Sequence, residues 1–149
     1  MSFFETLDVT ASGLTAQRLR LDIIAENIAN VETTRTADGS PYKRKTVLFQ
    51  ERGDNSPFAE YFKKATGGLV NDTRGVRVTR IVEDQREGAK VYDPGHPDAD
   101  AEGYVTKPNV NIVEEMVNMI SASRSYEANV TAFNATKSMI AKTLEMGAR

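Results

Sequence analysis

The chain has 149 residues, 40% of them hydrophobic and 27% charged, with a formal net charge of −2. That is enough for one soluble domain with a modest core, and the charge balance gives no reason to expect nucleic acid or an anionic membrane as the main partner. There is no cysteine, which excludes disulfides, thiolate metal sites and cysteine catalysis, and fits oxidising and reducing compartments equally.

The N-terminal stretch MSFFETLDVTASGLTAQRLR carries no basic segment followed by a continuous apolar run, so it does not read as a cleavable signal peptide. No run approaches the roughly 18 apolar residues of a membrane span. The spacing predicts a helix over residues 2–31. Ser2 and Glu5 form a capping-box pattern. Leu7, Leu14, Leu21 and Ile28 recur every seven residues, with Phe4, Ala11 and Ala25 at companion positions and Arg18 as the polar exception. Alternating steps of four and three describe a coiled-coil seam. Ile23 lies on roughly the opposite side of the wheel, near Asn27 and Asn30. Two asparagines close to a helix end suggest a polar contact with another subunit or a helix-terminating signal.

Residues 35–110 hold all five prolines and eight of the ten glycines. YKRKTVLF (42–49) and VRVTRIV (76–82) are rich in β-branched residues and read as strands. Residues 55–65 fit a short helix capped by Ser56 with Pro57 in its first turn, broken by ATGG at 65–68. Residues 90–109 are turn-rich and extended. The basic run YKRK (42–45) reads as a solvated strand face, or as a contact for an acidic neighbour or peptidoglycan. DADAEG (98–103) resembles the first half of a calcium loop, but Asn109 stands where the bidentate glutamate belongs. His96 has no second histidine for zinc and no paired nucleophile. No catalytic, metal or cofactor motif is complete.

A second helix is expected over 111–146, capped by Asn111 in the pattern NIVE. Its seam runs Ile112, Met116, Met119, Ser123, Tyr126, Val130, Phe133, Lys137, Ile140, Leu144. Val117, Met139 and Met146 lie far round the wheel, among Asn118, Ser121, Ser125 and Asn129. Small, amide-bearing and partly apolar outer faces suit burial by several neighbours.

The expected fold class is α+β: long N- and C-terminal helices pairing as a coiled coil, with a small, partly β insert between them. The alternative is one compact α+β domain whose helices cover a sheet. The division is 1–34 (helix), 35–110 (insert) and 111–149 (helix), with the two helices forming one helical domain. The candidate interface residues are Leu7, Leu14, Leu21, Ile23, Asn27, Ile28, Asn30, Ile112, Met116, Met119, Tyr126, Val130, Phe133, Ile140 and Leu144.

NIANVETTRTADGSPYKRK (27–45) and YDPGHPDADAEGYVTKPNVNIVEEMVNMISASRSYEANVTAFNATKSMIAKTLEMG (92–147) resemble the two ends of the bacterial flagellar axial proteins. Many of those follow the second asparagine with a compact Thr-Pro-Gly-Tyr. Here RTADGS separates Thr34 from Pro41-Tyr42, a longer form similar to the proximal-rod branch. The resemblance implies a structural subunit of the basal-body rod that transmits torque and lines the export channel. It implies copies of itself, other rod proteins, the flagellar type III export apparatus and the basal-body base as partners. It also implies a periplasmic position reached without a cleaved signal. The alternatives are a periplasmic binding or enzymatic module using loop 93–103, and a cytoplasmic coiled-coil adaptor.

Overall fold

The computed structural model describes residues 3–53, 61, 64–65 and 75–147. The Ser2 cap, most of the helix expected over 55–65 and the break after it lie outside these residues. Helix α1 spans Phe3–Ala29 and helix α2 spans Ile112–Gly147, so both expected helices form. Strands β1 (Lys45–Glu51) and β2 (Val76–Glu83) pair with each other, and β3 (Lys90–Tyr92) pairs with β4 (Tyr104–Thr106). The fold is α+β, two long helices enclosing a small strand-bearing insert in the sequence. No described helix is long and apolar enough to cross a membrane.

The helix ends follow from their side chains. At the start of α2, Asn111 Oδ1 accepts from the Val113 and Glu114 N–H groups at 3.0 and 3.4 Å, satisfying donors the helix cannot. At the end of α1, Asn30 Nδ2 donates to the Glu26 carbonyl at 2.9 Å, and Thr33 Oγ1 donates to Asn30 Oδ1 at 3.1 Å. The second asparagine of the NIAN run thus serves as a helix stop.

β1 and β2 run antiparallel, with Asp84 N–H donating to the Arg44 carbonyl and Arg52 N–H to that of Gly75. β1 begins at Lys45, three residues later than YKRKTVLF suggested. Tyr42 is instead tied to the loop after α1, its N–H on the Thr33 carbonyl. β3 and β4 pair Lys90 with Thr106, Val91 with Val105 and Tyr92 with Tyr104. The Tyr92 and Tyr104 rings meet edge to face at 5.3 Å, a favoured aromatic geometry.

The chain divides into two compact units, residues 1–17, 49–79 and 125–149 in the first, and 18–48 and 80–124 in the second. In the first, α1 packs on α2 where Gly13 faces Asn129. A Cβ at Gly13 would meet the Asn129 amide at 3.2 Å, so the missing side chain lets the helices approach. Ala16 and Thr136 are buried here. Gly75 has φ +141°, and a Cβ there would meet Ser12 Oγ at 2.5 Å; that hydroxyl accepts from Val76 N–H at 3.0 Å. In the second unit, Ile23, Ile24, Tyr42, Val47, Val105 and Ala122 form the core, with Asn27 and Glu115 buried among them.

The packed stripes are not the apolar seams. On α1, Leu7, Leu14, Leu21 and Ile28 are half-buried, while Phe4, Ala11, Arg18 and Ala25 are exposed. On α2 the buried positions are Glu115, Ala122 and Thr136, one residue before Met116, Ser123 and Lys137. The helices therefore meet through small and hydrogen-bonding residues. Close approach at Gly13 and a polar bond between Asn27 and Glu115 select that rotation, and the larger apolar side chains lie on the flanks.

Candidate functional site

Two features stand out: a buried polar hub in the second unit, and the apolar faces that the packed stripes leave uncovered.

The hub is centred on Asn27, which is 1% exposed. Its Nδ2 donates to the Lys45 carbonyl at 2.8 Å and to Glu115 Oε2 at 2.9 Å. Its Oδ1 accepts from Tyr42 Oη and from Lys45 N–H, both at 2.9 Å. Every hydrogen-bonding capacity of the amide is thus used inside one chain. Glu115, fully buried, accepts a fork from Arg44, Nε at 2.9 Å and Nη2 at 2.7 Å. Both guanidinium nitrogens converge on one carboxylate oxygen, Oε1, in a charge-assisted contact, while Oε2 takes the Asn27 amide. Asn109 adds a second clasp, accepting from Arg44 N–H at 2.7 Å and donating to the Asp84 and Arg86 carbonyls. The hub therefore joins the end of α1, the start of β1 and the first turns of α2.

Burial pushes the Tyr42 phenol up to about 12, with Glu26, Glu115 and Glu83 adding to the effect. The hydroxyl stays protonated and able to donate across the physiological range. Hydrogen bonds from Arg86 hold the half-buried Asp84 carboxyl down to about 2.

The YKRK run is neither a bare solvated face nor an open basic patch. Lys43 donates to Gln85 at 2.9 Å, Arg44 to Glu115, and Lys45 to Glu26 at 2.6 Å. Loop 93–103 is built as a turn. Asp100 Oδ1 accepts from Glu102 and Tyr104 N–H, Asp98 accepts from Thr34 Oγ1 at 2.8 Å, and His96 Nδ1 accepts from Asp98 N–H. Among the described residues no three histidine or acidic side chains converge on a metal-sized site.

The candidate interface residues separate into two groups. Ile23 and Asn27 are buried within the chain, and Asn30 is half-buried with its amide bonded locally. Leu7, Leu14, Leu21, Ile28, Met119, Tyr126, Val130, Phe133 and Ile140 are half-buried. Ile112, Met116 and Leu144 are exposed, Met116 at 53% and Leu144 at 69%. Val113 and Ile120, which are not among the candidate interface residues, are exposed too. With Met116 and Val117 they form a continuous stripe on the first turns of α2. At 100° per residue this stripe lies roughly 150° from Glu115 and Ala122. A wheel drawn around Glu115 as an inward residue would have revealed it, but a glutamate is rarely assigned inward from sequence.

The family described as "Flagella basal body rod protein" matches residues 7–35, most of α1 and the turn behind it. "Flagellar basal body rod FlgEFG protein C-terminal" matches residues 101–146, from the turn before β4 nearly to the end of α2. The chain is 48% identical over 151 residues to the flagellar basal-body rod protein FlgC of Bacillus subtilis, covering 99% of both chains. It is 46% identical over 147 residues to FlgC of Escherichia coli O157:H7, again with 99% of each covered. It is 41% identical over 146 residues to FlgC of Aquifex aeolicus, with 97% of each covered. Likeness at that level along the whole length means that the chain belongs to the FlgC family of flagellar basal-body rod proteins.

Proposed function

We propose that the chain is a structural subunit of the proximal flagellar rod, assembled through the uncovered faces of its two helices. The reading as a rod subunit rather than an enzyme rests on full-length likeness to proteins named as rod proteins. The assembly mechanism is carried by one observation: the heptad-spaced apolar side chains of α1 and α2 flank the intramolecular contact instead of filling it. A contiguous exposed stripe such as Val113, Met116, Val117 and Ile120 is unfavourable for an isolated soluble chain and favourable once another subunit covers it. Its neighbours in this reading are copies of itself, other rod proteins and the base of the basal body. The rod they build carries torque and lines the export channel from a periplasmic position, with export through the flagellar type III apparatus in place of a cleaved signal.

The test is a Val113→Glu/Val117→Glu double variant. Both side chains are exposed, at 69% and 61%, so the isolated protein should melt close to the wild type. In a strain lacking the native gene, the variant should fail to restore swimming and should be missing from purified basal bodies. Normal swimming with normal incorporation would refute the role given to this stripe.

A further inference from the structure

In the second unit Lys43, Arg86, Lys90 and Lys107 line one cleft of about 410 Å³, with Glu87 as the sole acid in the lining. Its walls come close. A Cβ on Gly88 would run into the Lys107 carbonyl oxygen, so only glycine lets the segment after β2 lie against the end of β4. Arg86 is matched by Asp84, and Lys107 by Glu32 at 3.0 Å. Lys43 reaches the neutral Gln85 amide, and Lys90 has no ion-pair partner among the described residues. Two ammonium groups, Lys43 and Lys90, thus stand against the single carboxylate of Glu87, and the cleft keeps a net positive charge.

The same β3–β4 hairpin carries the opposite charge at its other end. Its connecting loop, 93–103, contains Asp93, Asp98, Asp100 and Glu102. Asp93, Asp100 and Glu102 are exposed, while Asp98 is held by Thr34 and Arg35. Lys90 pairs with Thr106 at the hairpin base and Tyr92 with Tyr104 next to the loop. At about 3.4 Å per residue the loop begins roughly 10 Å from Lys90. It cannot enter its own cleft without unpairing the hairpin.

We propose that the cleft receives the acidic 93–103 loop of a second copy of this chain. The two surfaces are different patches, so the contact is head to tail and leaves a free cleft and a free loop at the ends of any chain of copies. Exposed charges are screened within about 8 Å at physiological salt, so the contact sets orientation and register more than affinity. The proposal stands on the cleft and the loop, and does not rest on the rod reading.

The absence of native cysteine makes the test clean. Full-length Thr106→Cys chains, with the cysteine in the cleft lining, and Ala101→Cys chains, with it in the exposed loop, bear different tags, are checked for wild-type melting, mixed at about 50 mM salt and mildly oxidised. A mixed disulfide dimer should exceed either homodimer by roughly tenfold, where random pairing gives about twofold, and about 500 mM salt should return it to the random level. Adding Lys43→Glu to the Thr106→Cys chain should lower the mixed yield to the random level, about twice either homodimer. Homodimers alone, no dimer at low salt, or a mixed dimer indifferent to both salt and Lys43→Glu would each overturn the proposal. Basal-body incorporation, which tests the rod reading, is measured separately.

Discussion

Replacing Glu115 by alanine removes the one carboxylate in the interior of the second unit. The side chain is fully buried and accepts from Arg44 twice and from Asn27 once. Breaking a buried ion pair by deleting one partner costs about 3–5 kcal/mol, because the other charge is stranded. Arg44 keeps a 20% exposed side chain and can recover some hydration, and Asn27 Nδ2 keeps its bond to the Lys45 carbonyl. Both considerations place the loss near the lower bound, about 3 kcal/mol. For a chain of this length each kcal/mol moves the melting temperature by about 2–4 °C, so Glu115→Ala should melt roughly 6–12 °C lower. The assay is thermal unfolding followed by circular dichroism at neutral pH, with Arg44→Ala measured in parallel. The double variant should be less destabilised than the sum of the two singles, because the second change removes the stranded charge. A Glu115→Ala melting point within about 2 °C of wild type, or strict additivity with Arg44→Ala, would refute the view that this pair fixes α2.

Two further outcomes follow from the hub and from unit 1. Tyr42 has its folded pKa raised from 10.0 to about 12. Below pH 10 both states are protonated and the contribution is complete. Between pH 10 and 12 the unfolded chain loses the proton first, so stability falls as pH rises, by at most about 2–3 kcal/mol. Tyr42→Phe should flatten this alkaline decline in a melting series, at a cost of about 1 kcal/mol at neutral pH for the lost bond to Asn27; an unchanged alkaline slope would count against it. Gly75→Ala should destabilise by about 1–3 kcal/mol, since it combines a positive φ with a clash against Ser12; equal or higher stability in urea unfolding would contradict the described turn.

Much of this fold is readable along the chain. The Asn111 cap and the absence of glycine or proline between 112 and 146 determine where α2 starts and how far it runs. β-branched runs mark β1 and β2. Periodicity does not reveal which stripe of a helix turns inward. Met116 and Leu144 look like core and Glu115 looks like surface, because the partners that make Glu115 an inward residue, Asn27 and Arg44, lie 88 and 71 positions away in the chain. The same distance hides the fate of YKRK: its cations find Glu26, Gln85 and Glu115 only after the chain has folded back. β3 and β4, three residues each, are too short for an alternating pattern to declare itself. The family motif around Asn27 was plain in the sequence, but the meaning of its amide was not; the residue suspected of meeting another subunit is bonded four times at home.

The bond from Arg52 N–H to the Gly75 carbonyl, at 2.7 Å, has a practical corollary. Whatever lies between those residues leaves and rejoins the paired strands at one point. Doubling such a closed segment costs only about 0.6 kcal/mol of chain entropy. A change of length between residues 53 and 74 therefore carries only a small chain-entropy cost at that junction.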